Sequence, residues 1–146
     1  MALIKIKKLD ENAIIPTDGT EFSAGADLYS LPGEKTVIEP HKTVMMHTGL
    51  SMEIPEGYAG LIFARSGLAS KKGLAPANKV GVVDPDYRGE FMVALHNHTD
   101  EVREVEGGER IAQLVIVPFL KAEFEEADEL CETKRGSGGF GSTGTK

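Results

Sequence analysis

The stretch Gly81-Val-Val-Asp-Pro-Asp-Tyr-Arg-Gly-Glu90 crowds two carboxylates (Asp84, Asp86), a phenol (Tyr87) and a guanidinium (Arg88) between two apolar runs. A carboxylate held at the end of a strand can orient a water molecule and take its proton. The same residues also make an ordinary chain reversal, because Asp then Pro suits the first two positions of a type I turn. Asp86 has the chemistry of Asp84 but reads as the solvent-facing member of that turn. Further candidates lie elsewhere. Arg65-Ser66 offers a guanidinium fork and a hydroxyl suited to phosphate oxygens, Gln113 sits within an apolar strand, and Arg135-Gly-Ser-Gly-Gly-Phe-Gly-Ser-Thr-Gly144 sets Arg135, Ser137, Ser142 and Thr143 around Phe140. Each has a plain structural reading beside the chemical one: a surface arginine, a helix-capping serine, a core-strand glutamine, a flexible terminus. No Gly-Lys-Ser/Thr occurs, so none of this is a Walker A loop. His96 and His98 alternate along one strand, and such a pair without a wider Cys/His/carboxylate cluster reads as structural or exposed, not as a zinc site.

The elements that must position these groups are β-strands. The chain has 146 residues, one domain's worth, with 17 glycines and few aromatics (six Phe, three Tyr, no Trp). Many reversals and few large core anchors fit a β-rich domain better than a helical bundle. A net charge of −7 argues against non-specific binding to nucleic acid or anionic membranes. An anionic ligand must therefore be held by a few local arginines or a metal ion. The single cysteine, Cys131, excludes an internal disulfide framework and suits a reducing cytosol. Residues 1–9 alternate without an uninterrupted apolar run, unlike a secretory signal, and Ile111–Leu120 is too short to span a bilayer; the chain reads as soluble.

Apolar alternation and turn residues predict strands near Ile4–Ile6, Thr36–Ile38, Thr43–Ile54, Tyr58–Phe63, Val102–Val105 and Arg110–Val117, with a central hairpin around Asp84. One short helix is expected over Ser66–Lys72, capped by Ser66. The fold class expected is all-β, a jelly-roll barrel with one short helix. Residues 1–132 form the domain; residues 133–146 form a Gly-rich tail that needs a partner to order.

Five stretches, Ala24-Gly-Ala-Asp-Leu-Tyr-Ser30, Ala64-Arg-Ser-Gly-Leu-Ala69, Gly81–Glu90, Gly108-Glu-Arg-Ile-Ala-Gln-Leu114 and Arg135–Gly144, closely resemble, in order and spacing, the motifs of the trimeric deoxyuridine triphosphatases (dUTPases). The resemblance covers nearly the whole chain. It implies hydrolysis of dUTP to dUMP and pyrophosphate with Mg2+, which limits uracil in DNA and supplies dUMP for thymidylate synthesis. It also implies a cytoplasmic homotrimer with active sites at subunit interfaces, each closed by a neighbour's tail.

Residue by residue, the resemblance makes Asp84 the catalytic base and places Tyr87 under the deoxyribose, where no room remains for a 2′-hydroxyl. Uracil is read by the backbone around Gly81 and Val83 together with Asn78. Phosphates meet Arg65, Ser66, Gly67 and Gln113. From the tail, Phe140 stacks on uracil, Arg135 meets the γ-phosphate, and Ser137, Gly139 and Thr143 add contacts. Magnesium is held by substrate phosphates and water with no direct protein ligand, Asp27 reaching it at most through water; Asp27 and Arg110 read as structural members. Two departures stand out, Ala64 where many relatives have proline and Pro85 for the commoner serine, and residues 74–79 are less typical. The dCTP deaminases share the fold and carry a glutamate where this chain has Ala94, which cannot shuttle a proton. A non-catalytic nucleotide-binding protein is a further alternative that no residue favours.

Overall fold

The computed structural model describes residues 3–139. In chain order the strands are β1 (Lys5–Lys8), β2 (Thr17–Asp18), β3 (Ala26–Tyr29), β4 (Thr36–Ile38), β5 (Thr43–His47), β6 (Leu50–Glu53), β7 (Tyr58–Phe63), β8 (Leu74–Pro76), β9 (Gly81–Val83), β10 (Met92–Asn97), β11 (Arg103–Val105) and β12 (Arg110–Pro118). A single wide helical turn, α1 (Leu68–Lys72), lies between β7 and β8. The fold is all-β and jelly-roll-like, as expected. The largest sheet has the order β2-β3-β12-β7-β9; smaller sheets are β5-β10-β8, β1-β6 and β11-β4. No helix among the described residues is long and apolar enough to cross a membrane.

The core is one cluster drawn from every sheet, with Leu28, Ile38, Leu50, Leu74, Leu95, Val105 and Ile111 wholly buried. β12 is central because it pairs with β7 on one side and β3 on the other. Its pairing with β3 shifts between Arg110 and Ala112. That bulge lets two consecutive residues, Ile111 and Ala112, both turn inward. It leaves Arg110 outward, its guanidinium 5.9 Å from the Tyr29 ring centroid.

Three local expectations are corrected. Thr43–Ile54 is not one strand but two, β5 and β6, broken at Thr48-Gly49. Gly49 has φ +70°, and a Cβ there would crowd Leu31, Ala13 and Asp10, so both backbone and space demand glycine. The strands flanking Asp84 do not form a hairpin: β9 pairs with β7, whereas β10 pairs with β5 and β8. The Asp84 reversal therefore crosses from one sheet to another. Ser66 does not cap the helical turn, since no side-chain bond closes its start; instead Ser70 Oγ bonds back to Ser66 O at 2.7 Å. Past Pro118, residues 119–137 are exposed and carry no strand or helix.

Asn97, wholly buried at the end of β10, is the polar hub of the barrel end. Its Nδ2 donates to Ile38 O (3.0 Å), Glu101 O (2.7 Å) and, more weakly, Glu39 O (3.3 Å); its Oδ1 accepts from Thr99 N (2.9 Å) and Thr99 Oγ1 (2.8 Å). Replacing it by leucine fills the volume but strands these groups without partners. Asn97→Leu should lower unfolding free energy in urea titration by about 2–3 kcal/mol. A loss below about 0.5 kcal/mol would mean the network is dispensable.

Candidate active site

Two separate clefts hold most of the residues singled out in the sequence. The first, about 270 Å³, lies beside the Asp84 reversal and is lined by Asn78, Gly81, Val83, Asp84 and Tyr87 over an apolar floor that includes Ile62 and Phe91. Tyr87 N donates to Asp84 O at 3.2 Å, which closes the turn with Pro85 in its second position. The Asp84 side chain is exposed at the cleft edge. Asp86 is exposed and lines a different groove, with Pro85 and Lys121. Arg88, crowded at the tip in sequence, wraps the turn instead: its Nη1 donates to Pro85 O (2.6 Å) and Tyr87 O (3.0 Å).

The second cleft, about 410 Å³, is lined by Ser23, Asp27, Arg65, Ser66, Gly67 and Gln113, with Arg110 at its side. Asp27 organises it from β3. The residue is 7% exposed, and its carboxylate accepts from Arg65 Nε at 2.6 Å, with Arg110 Nη1 3.3 Å from its other oxygen. Arg65 is thereby held in place with part of its guanidinium turned to the cleft. Gln113 Nε2 donates to Ala64 O at 2.9 Å, tying β12 to the loop that carries Arg65. A Cβ on Gly25 would fall 2.9 Å from Gln113 Oε1, so glycine there leaves the amide its room. This is a compact positive surface on a chain of negative net charge, and it suits phosphate oxygens.

The clefts share no lining residue. Gly60 faces Val83 and Ile62 faces Gly81, so Asp84 continues beside the start of β7 while Arg65 lies past its end. The span from Ala59 to Phe63 alone is about 13 Å. Within one chain, then, Asp84 and Arg65 sit at opposite ends of a strand.

Of the tail residues, Arg135, Ser137 and Gly139 line neither cleft, and Arg135 Nε bonds to Gly138 O at 2.8 Å. Phe140, Ser142 and Thr143 lie outside the described residues. His96 and His98 pack edge to face at 4.4 Å, and His96 Nδ1 meets Thr43 Oγ1 at 2.9 Å. Burial lowers the His98 pKa, and the neighbouring His96, Lys79 and His41 charges add to this. Among the described residues no three His, Cys, Asp or Glu side chains are grouped to hold a metal ion.

Sequence reading missed Glu90 and His47. Glu90 lines the first cleft, and its carboxylate accepts from His47 Nδ1 (2.9 Å) and Gly49 N (2.8 Å). Burial pushes the Glu90 carboxyl up, but the His47 hydrogen bond, the Gly49 N–H and the His47 charge outweigh it and hold it below the usual carboxylate range. Its contribution to stability is therefore whole above the ordinary carboxylate pKa and is lost as pH falls through the lowered one. No spacing signal could have found this pair, because its members are distant in sequence and meet only where two strands of one sheet align, with Met92 opposite His47.

Comparison with known proteins points to one family. The family model for dUTPase matches residues 11–144. The deoxyuridine 5′-triphosphate nucleotidohydrolase of Hydrogenobaculum sp. (strain Y04AAS1) is 50% identical over 141 residues, covering 97% of each chain. That of Nautilia profundicola is 49% identical over 141 residues, covering 97% of this chain and 98% of its own. Among solved structures, the Staphylococcus bacteriophage 80alpha dUTPase with dUPNHPP superposes with a TM-score of 0.88 at 32% identity, covering 98% of this chain and 99% of that one. The dUTPase from phage phi11 of S. aureus gives 0.79 at 28% identity, over 88% of this chain and 97% of its own. With the family model matching residues 11–144 and relatives about half identical over nearly their whole length, the chain belongs to the dUTPase family.

Proposed function

We propose that this protein hydrolyses dUTP to dUMP and pyrophosphate in the cytoplasm, as a homotrimer whose active sites form between subunits. The observation that carries the reading is the split site: an apolar-floored cleft edged by Asp84 and Tyr87, and a separate guanidinium cleft at the other end of β7. Joining the Asp84 cleft of one subunit to the Arg65 cleft of another would make a continuous site for a nucleotide with its triphosphate.

In that site uracil lies against the backbone of Gly81 and Val83 with Asn78 at its edge, and Tyr87 lies under the deoxyribose. Asp84 orients a water molecule toward the α-phosphorus and accepts its proton as the new P–O bond forms. The bond from the α-phosphorus to its bridging oxygen breaks, and pyrophosphate leaves with that oxygen. Arg65, Ser66, Gly67 and Gln113 hold the phosphates, and Asp27 keeps the Arg65 guanidinium aimed. Both Asp27 oxygens are already engaged by Arg65 and Arg110, which fits a hydrated Mg2+ carried on the triphosphate and not gripped by the protein. Bound there, Mg2+ supplies neutralisation of phosphate charge. Residues 133–146 close over a neighbouring subunit's site, with Arg135, Ser137 and Gly139 on the phosphates and Phe140 on the base, excluding bulk water. Removal of dUTP limits uracil incorporation into DNA, and the product dUMP feeds thymidylate synthesis.

Three measurements test this. Asp84→Asn should lower kcat for dUTP by about 10²–10⁴-fold while leaving the affinity for a non-hydrolysable dUTP analogue nearly unchanged; a near-normal rate sinks the base assignment. Subunits ending before Arg135 and Asp84→Asn subunits should each be inactive alone and regain activity in mixed trimers. No recovery in mixed trimers verified by mass spectrometry rules out sharing of the tail. Asp27→Ala frees Arg65 and should raise KM for dUTP several-fold, with a stability loss of about 1–2 kcal/mol once solvent screening of the two arginines is allowed for. Unchanged KM and melting temperature would remove Asp27 from that role.

A further inference from the structure

We infer that Gly89 and Glu90 are positioning residues for sugar selectivity, holding the Tyr87 ring in the one attitude in which it can reject a 2′-hydroxyl. The inference rests on the role proposed above for Tyr87 and adds what makes that ring rigid. A tyrosine at the tip of a surface turn, 42% exposed, would ordinarily be free to change rotamer. A ring that can swing aside discriminates poorly, because steric rejection works only if the rejecting surface does not yield.

Three contacts fix this ring. Its Oη donates to Glu90 O at 3.0 Å. Its face inclines at 54° to the buried Phe91 ring, with centroids 6.1 Å apart. Its far end lies directly over Gly89, where a Cβ would fall 2.9 Å from Cε2 and closer still to Cζ and Oη. Gly89 is not among the glycines with positive φ, so space and not backbone conformation requires glycine there. An alanine keeps the main chain and displaces the ring.

The Glu90 carbonyl is a useful anchor only because Glu90 is itself immobile. Its carboxylate bridges His47 Nδ1 and Gly49 N across the β5–β6 corner. Residues on both sides are pinned to the same corner: Ser51 Oγ donates to Arg88 O at 2.8 Å, Thr48 Oγ1 donates to Phe91 O at 2.6 Å, and Phe91 N donates to Leu50 O at 2.8 Å. Selectivity at Tyr87 is thus set partly by a corner of the barrel that touches no substrate.

The experiment compares kcat/KM for dUTP and UTP in five variants, with circular dichroism and size-exclusion chromatography confirming that each keeps its fold and assembly. Gly89→Ala should cut the dUTP-over-UTP preference about tenfold or more. Added to Tyr87→Ala, it should cut it no further, because the ring it displaces is gone. Glu90→Ala should also erode the preference, and Glu90→Gln should restore most of it, since the amide oxygen can still accept from Gly49 N. Should Gly89→Ala fail to fold, the Glu90 pair carries the test alone. A folded Gly89→Ala with unchanged preference, beside a Tyr87→Ala that has lost it, overturns the positioning role and leaves the Tyr87 assignment standing. Retention of the preference by Tyr87→Ala overturns the sugar assignment, and this inference with it.

Discussion

The hydrogen-bond register of β7 constrains everything that bears on function. This six-residue strand is paired along its length with β12 and, over Gly60–Ile62, with β9. A sheet register cannot slip by one residue without turning every side chain to the opposite face, so Gly60 and Ile62 stay on the buried face and both ends of the strand are fixed in space. One end feeds the loop with Arg65 and Ser66; the other lies beside Asp84. The two chemical centres are held at a set separation by main-chain bonds, independently of any ligand.

Around that frame the polar groups are used economically. The described chain concentrates positive charge by tethering Arg65 and Arg110 to one nearly buried carboxylate, Asp27. An unpaired Asp27 at that depth would be costly, and untethered arginines would be loose. The same logic governs the turn. Ser51, Thr48, Glu90 and Tyr87 each spend a side-chain hydrogen bond on main-chain groups between Arg88 and Phe91, or receive one from them or from the facing corner. An irregular crossing between sheets has no ladder of its own, and these bonds replace it.

Strand patterning was legible where one face is wet and the other dry. Thr36–Ile38 and Tyr58–Phe63 have the bounds expected, and Arg110–Pro118 extends one residue further. It failed where the alternation runs unbroken through a corner, as at Thr48-Gly49, because a glycine inside a β pattern does not announce whether it bends or merely weakens the strand. It failed again at Asp84, where two apolar runs around a tight turn imitate a hairpin. Proximity in sequence favours that pairing, but the free edges of β7 and β5 win each run for a different sheet.

The sequence by itself determined the residue types: a carboxylate after a β run, an arginine–serine pair before a glycine, a glutamine in an apolar strand, and the five motifs whose order and spacing resemble one family. These follow from local chemistry and linear distance. Only the tertiary structure decided how they are grouped. Asp27 joins Arg65 and Arg110 past one end of β7, whereas Glu90, joined to His47 and Gly49, lines the same cleft as Asp84 by the other end. Each of those neighbourhoods is made by strands distant in the chain that pair in one register, and long-range register depends on the packing of the whole core, which no local stretch encodes.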